Sequence, residues 1–238
     1  MLNTVTVLVN SFGEKEVVFM EAMQSILDAM PSQVILSTVV GDECIGWISD
    51  SRIDVVISDE PSVYGQLNKA VPLVRMPYTC YASSNDIMCP HKLRDDVAIL
   101  KEKDMGVCYS SFDKLYPDTG GKTVHISRGY SYSKHLRGSI VSDCAMVKTD
   151  ILRKYYPFKE EYGNKAFYDF WLRVYEGEGD VFINNRNPTW CYVIHNDSSH
   201  IQRSKGSAAW NLNKELTKKV LKDHREAIER IIIKNNAQ

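Results

Sequence analysis

The sequence predicts an α/β protein with a Rossmann-like, mostly parallel central sheet flanked by helices and a smaller mixed sheet in its second half. Three observations lead there. Strand and helix signals alternate through the first hundred residues, as a parallel sheet with crossover helices requires. The run QVILSTVV (33–40) is apolar throughout, the pattern of a strand buried on both faces. Polar and acidic residues follow each early strand, where open parallel sheets bind ligands. With 238 residues, 44% hydrophobic and 25% charged, the chain can bury a substantial core.

The elements follow in order. TVTVLVN (4–10) is β-branched and ends in the loop Asn10-Ser11-Phe12-Gly13. Phe19, Ala22, Met23, Ile26, Leu27 and Met30 recur at helical spacing, and Pro31 stops that helix. After strand 33–40 the spacing predicts a short helix around Ile45–Ile48. IDVVIS (53–58) is the third strand, and a helix runs from Pro61, placed at its start, to about Ala70. PYTCYA (77–82) is the fourth strand, ending in Ser83-Ser84-Asn85-Asp86. Pro90-His91-Lys92-Leu93 opens a helix with Leu93, Val97 and Leu100 on one face.

The second half is less regular. MGVCYSSF (105–112) and KTVHIS (122–127) read as strands around a turn at Pro117–Gly121, and SIVSDCAMVK (139–148) as a third. Phe167, Phe170, Trp171 and Val174 place a helix over about 164–175. VFINN (181–185) and TWCYVIH (189–195) read as a strand pair, and 208–233 as one long helix. No repeat or low-complexity linker appears, so one domain over 1–238 is expected, with parts 1–103, 104–205 and 206–238.

A net charge of -1 argues against a nucleic-acid partner. No run reaches transmembrane length, and Val5–Val9 is too short, and lacks the basic leader, for a signal peptide. The Cys at 44, 80, 89, 108, 144 and 191 have no two-residue spacing, so buried reduced thiols in a cytoplasmic protein are expected. Asn196-Asp197-Ser198 is an acceptor site for glycosylation in form only.

The four strand ends (Asn10-Ser11-Phe12, Gly41-Asp42-Glu43, Ser58-Asp59-Glu60 and Ser83–Asp86) suit a small polar ligand, or are loop polarity at exposed strand ends. There is no GxGxxG, no GxxxxGK[ST] and no GxSxG, so any phosphate must be held by a metal or by side-chain cations.

Three stretches carry a resemblance. TVTVLVNSFGEKEVVFMEAMQSIL, PLVRMPYTCYASSNDIMCPHKL and the segment from Ser142 to Ser199 are together similar to the family 2 glycosyltransferases of GT-A fold. The first matches the family's opening strand, loop and helix. The second matches the strand leading into its Asp-x-Asp-Asp donor motif. The third matches the acceptor side, where a "D-x-W-L-R" helix, a strand pair and a Val-x-His close the pattern. The resemblance spans roughly residues 4–200 and implies transfer of a sugar from a nucleoside-diphosphate sugar, most often uridine, to an acceptor hydroxyl with inversion. The acceptor would be a glycan, a lipid-linked molecule or a protein. The alternative is a non-catalytic GT-A-like domain that binds a sugar or nucleotide or serves in interactions.

The resemblance places Asn10, Ser11, Asp42, Asn68, Asn85 and Asp86 around the donor, with Asp86 and His195 as ligands of Mn²⁺ or Mg²⁺. A divalent cation would stabilise the charge that develops on the diphosphate leaving group. The chain departs from the family at Ser83, Asn85 and Gly41, and at Ala166-Phe167, where relatives carry an acidic pair including the general base. An acceptor hydroxyl needs a carboxylate within hydrogen-bond reach. Asp143 and Asp169 are the leading candidates, and Glu160 and Glu161 a third option. Asp169 also stands four residues before Arg173, a spacing that pairs them on one helix face. Arg128, Arg203 and Lys205 are cations available to the diphosphate, with 197–207 a candidate lid or a solvated linker. Between Ile201 and Gln238 there are nine Lys or Arg against four Asp or Glu, so a basic amphipathic end is at most a peripheral membrane contact.

Overall fold

The structure, a computed structural model, describes residues 4–59, 61–194 and 207–236. Its centre is a nine-stranded sheet in the order β3-β2-β1-β4-β8-β6-β9-β5, with β7 added on β6. The first four strands are β1 (Val5–Asn10), β2 (Gln33–Val39), β3 (Ile53–Ser58) and β4 (Tyr78–Ser83). All are parallel, as the alternation of elements predicts. The remaining five are β5 (Ile87–Met88), β6 (Val107–Tyr116), β7 (Gly121–His125), β8 (Met146–Lys148) and β9 (Phe182–Val193). β8 runs antiparallel to both β4 and β6, and β6 lies parallel to β9. The second half is therefore mixed.

Burial explains the parallel part. β1 is buried along its whole length. Its alternate side chains enter opposite cores, Val7 and Val9 on one face and Leu8 on the other. Phe19, Met23 and Ile26 of α1 (Glu16–Asp28) and Leu93, Val97 and Leu100 of α3 (Lys92–Lys103) cover the first face. Leu67 and Ala70 of α2 (Val63–Ala70) and Phe170, Trp171 and Val174 of α6 (Ala166–Glu178) cover the second. Each such fully buried large apolar side chain contributes roughly 1.5–3 kcal/mol. At one end of the sheet β3 is only half covered, with Val55 and Ile57 exposed. Its Asp54 accepts from Gln33 Nε2 at 2.7 Å and pairs with Arg75 at 2.9 Å.

Several expectations are corrected. Ser62, not Pro61, opens α2, because its hydroxyl accepts from the Gly65 N–H at 3.2 Å. The short helix near Ile45–Ile48 is a 3-10 turn over Glu43–Trp47. Of the predicted strand 139–148 only β8 forms, so Asp143 lies in the turn before it. The predicted strand pair is the single strand β9, whose register against β6 shifts twice, between Ser110 and Asp113, and so accommodates Pro188. The long last helix is two, α7 (Ala208–Asp223) and α8 (Arg225–Asn236), divided at His224. The short helices α4 (Tyr132–His135) and α5 (Thr149–Tyr155) were not anticipated. All six cysteines are free thiols; Cys89 and Cys191 are half-buried and the other four buried. Among the described residues no helix is long and apolar enough to cross a membrane.

Candidate active site

The strand order reverses between β1 and β4, since the chain builds outward from β1 to β3 and then returns to the other side of β1. Ligands of open α/β sheets bind at such a switch point, beyond the strand carboxyl ends. Asn10 and Ser83, the last residues of these two strands, are register partners. The Tyr81 hydroxyl donates to Asn10 Oδ1 at 2.5 Å and ties the two strand ends together.

On the β1–β2 side the loop after β1 is organised by acids. The Ser11 hydroxyl is 2.7 Å from Glu14 Oε2 and 3.3 Å from Asp42 Oδ2. Asp42 also accepts from the Thr38 hydroxyl at 2.6 Å and from the Cys44 N–H at 3.1 Å. Burial raises the Asp42 pKa, but the hydrogen bonds from Thr38, Cys44 and Gly13 outweigh it and hold the carboxyl below its ordinary range. Asn10, Ser11 and Asp42 thus lie together at this strand end. Asn68 does not join them. Its side chain is doubly engaged with the Phe158 backbone, donating at 2.9 Å and accepting at 2.8 Å.

On the β4 side a cavity of about 400 Å³ opens between the end of β4, the 139–144 turn and β9. Ser83, Asn85, Asp86 and Asp143 line it opposite an aromatic wall of Phe112, Trp190 and Tyr192. Phe112 and Trp190 stack at 4.5 Å. Ser83 donates to Asn85 Oδ1 at 2.6 Å, so these two residues hold each other. Asp86 is 8% exposed and accepts from the Val193 N–H at 3.0 Å. Burial pushes its pKa up to about 7; the Val193 bond opposes this, and the charge of Asp143 adds to it. Asp86 has no cationic side chain within ion-pairing distance among the described residues. Asp143 is exposed. It also lines a small apolar cavity together with Tyr81 and Phe167.

Asp169 lies elsewhere. It is fully buried between α6 and α7, 2.8 Å from Arg173, 3.0 Å from His224 Nε2 and 3.5 Å from Lys159. Burial raises its pKa, but His224, Arg173 and Lys159 more than reverse this. The i,i+4 pairing with Arg173 expected from spacing is present, and Asp169 does not line the cavity. Glu160 and Glu161 sit in the turn before α6. His195, Arg203 and Lys205 lie outside the described residues.

The aromatic wall escaped the sequence reading. Its signal was the two-residue spacing of Trp190 and Tyr192, which puts both rings on one face of a strand. His224 escaped it as well, because nothing local marks a histidine on a helix for a buried role.

No family model matches the sequence, and no curated protein matches it. Solved structures do match. Residues 1–349 of S. aureus TarS superpose with a TM-score of 0.67 at 14% identity, covering 84% of this chain and 63% of that one. The chain has the fold of TarS. The TarS structure in complex with UDP matches with a TM-score of 0.67 over 93% of this chain, and the one with UDP-GlcNAc with 0.68 over 92%. Identity is 14% in both. The chain spans about two thirds of the length of these TarS structures and 43% of the chain in a longer TarS structure.

Proposed function

We propose that the protein is a glycosyltransferase that takes a sugar from a UDP-sugar and passes it to an acceptor hydroxyl with inversion. The observation that carries this reading is the cleft at the β1–β4 switch point of a TarS-like fold, where buried Asp86 and exposed Asp143 face one cavity. Asn10, Ser11 and Asp42 would receive the nucleoside, and Asn85 and Asp86 the diphosphate side.

Asp143 is the better base. It reaches the cavity from a turn, whereas Asp169 lies outside the cavity, fully buried against Arg173. It also shares a small cavity with Phe167, the position where the resembling family carries its base. In the reaction the acceptor oxygen forms a bond to the anomeric carbon while its proton passes to the Asp143 carboxylate. The bond from the anomeric carbon to the diphosphate oxygen breaks, and the electron pair leaves with the diphosphate.

A divalent cation fits the residues present. Asp86 has one carboxylate oxygen engaged with a backbone N–H and no cationic partner among the described residues, and such a cation needs only one or two protein carboxylates beside phosphate and water. Asp86 would hold it, with His195 proposed as the second ligand. No group of three His, Cys, Asp or Glu suited to a metal occurs among the described residues. When bound, the cation would neutralise charge on the departing diphosphate.

The mutual hydrogen bond of Ser83 and Asn85 favours a second reading, a GT-A-like domain that binds without turnover. A melting-temperature panel with UDP and UDP-GlcNAc, with and without Mn²⁺, followed by a UDP-release assay, separates the two. A shift with UDP that Mn²⁺ enlarges, lost in Asp86→Asn, is expected; saturating ligand contributes roughly 2–4 kcal/mol. Binding without UDP release from any tested sugar nucleotide would favour the second reading. No shift with any nucleotide would overturn both.

A further inference from the structure

A second cavity, of about 320 Å³, adjoins the cleft. Ser139 lines both. The wall between them is a continuous ring stack, His125 on Phe112 at 4.5 Å and Phe112 on Trp190 at 4.5 Å. His125 faces the second cavity and Trp190 the first.

The second cavity is lined by three full cations, Arg128, Lys134 and Arg137, and by no carboxylate. Arg128, expected from the sequence to be available to the donor diphosphate, thus lines this cavity and not the donor cleft. None of the three cations has an ion-pair partner among the described residues. The chain as a whole is slightly acidic at -1, so this positive surface is local.

The backbone that carries these cations is fixed from beneath. The Ser127 hydroxyl donates to the Ser110 carbonyl at 2.8 Å, and its N–H to Ser111 Oγ at 3.1 Å. Asn184 donates to the Ser127 carbonyl at 2.7 Å, and the Tyr109 hydroxyl to the Arg128 carbonyl at 2.7 Å. Opposite, fully buried His135 accepts from the Ile140 N–H at 3.1 Å through Nδ1 and anchors the turn bearing Arg137 and Ser139. Concentrating three unneutralised cations on a braced concave surface costs repulsion that a bound anion would relieve.

We propose that this groove is the acceptor site and that the acceptor carries a phosphate-type oxyanion near the hydroxyl that receives the sugar. Arg128 and Arg137 offer planar forks that match phosphate oxygens, and Lys134 adds a point charge. Ser139 stands where the cationic groove meets the donor cleft. The proposal rests on the reading above that the adjoining cleft holds the donor.

The test uses the full chain and three probes: inorganic phosphate, glucose 6-phosphate and uncharged glucose. Binding is followed by calorimetry and by the arginine Nε–H signals in NMR, and UDP is titrated separately. The wild type should bind the two phosphate probes and not glucose. Arg128→Gln/Arg137→Gln should weaken phosphate-probe binding by about tenfold or more, with melting temperature and UDP affinity unchanged. Lys101→Gln/Lys214→Gln, which removes exposed charge elsewhere, should leave it intact. Three results overturn the proposal: no phosphate-probe binding by the wild type, equal loss in both double variants, or a fall in UDP affinity in Arg128→Gln/Arg137→Gln that matches the loss for phosphate. The last would assign the groove to the donor diphosphate. Failure of UDP to bind the wild type while the phosphate probes bind in the groove would instead remove the donor reading and, with it, the acceptor role.

Discussion

The cleft at the end of β4 and the junction of α6 with α7 each bury one aspartate, in opposite surroundings. Among the described residues Asp86 has one backbone N–H donor and a second carboxylate, Asp143, across the cavity, and it holds its proton up to about 7. Asp169 has Arg173, His224 and Lys159 around it and is held ionised below its usual range. His224 is in turn driven up to about 9, because Asp169 and Glu176 overcome the opposing effect of burial. A carboxylate whose charge is met within the fold ties helices together. One whose charge is left unmet beside a cavity is ready for a ligand.

The largest expected effect breaks the neutralised side. Asp169→Ala would leave Arg173 and His224 without their buried partner and should cost about 3–5 kcal/mol in urea unfolding. If instead the variant kept its stability and lost only turnover, Asp169 would belong with catalysis and the contrast would collapse.

The next effect concerns pH. Unfolded Asp86 ionises near 3.8 and folded Asp86 near 7, so the folded state binds more protons across that window and stability falls as pH rises through it. His224 takes up its proton near 6.5 when unfolded and near 9 when folded. Its contribution is full below 6.5 and lost as pH rises through about 9. A profile of unfolding free energy against pH should thus fall in two adjoining windows. Asp86→Asn should remove the first fall only, raising stability at pH 8 by on the order of a few kcal/mol. An unchanged profile in that variant would deny Asp86 its unmet charge.

The smallest effect sharpens the division of labour. Asn68→Ala should cost about 1–3 kcal/mol by releasing the Phe158 backbone, with UDP affinity unaltered. A selective loss of UDP affinity would return Asn68 to the donor site.

The two regions also differ in how far the sequence discloses them. The strands around β1 are legible because β-branched runs buried on both faces leave no competing period, and their ends locate Asn10, Ser11, Asp42 and Asp86. β9 reads as two strands because Arg186-Asn187-Pro188 looks like a break, whereas the register shifts against β6 carry the chain through. The last helix reads as one because the apolar stripe continues past residue 224. The partners that end α7 there, Asp169 and Glu176, are 55 and 48 residues away. Only the resemblance puts Asn68 at the donor, and the contact with Phe158, 90 residues on, reveals its use. Pairings set at long range are not visible to local pattern.

The half-covered strand β3 has a consequence of its own. An outer strand with Val55 and Ile57 turned to water offers unsatisfied backbone groups and an oily strip to any second chain that meets it. Asp54, between Val55 and Ile53, holds Gln33 and Arg75 at that margin and places charge where a foreign strand would have to align. The Asp54–Arg75 pair therefore acts as a guard against self-association as much as a support for the sheet.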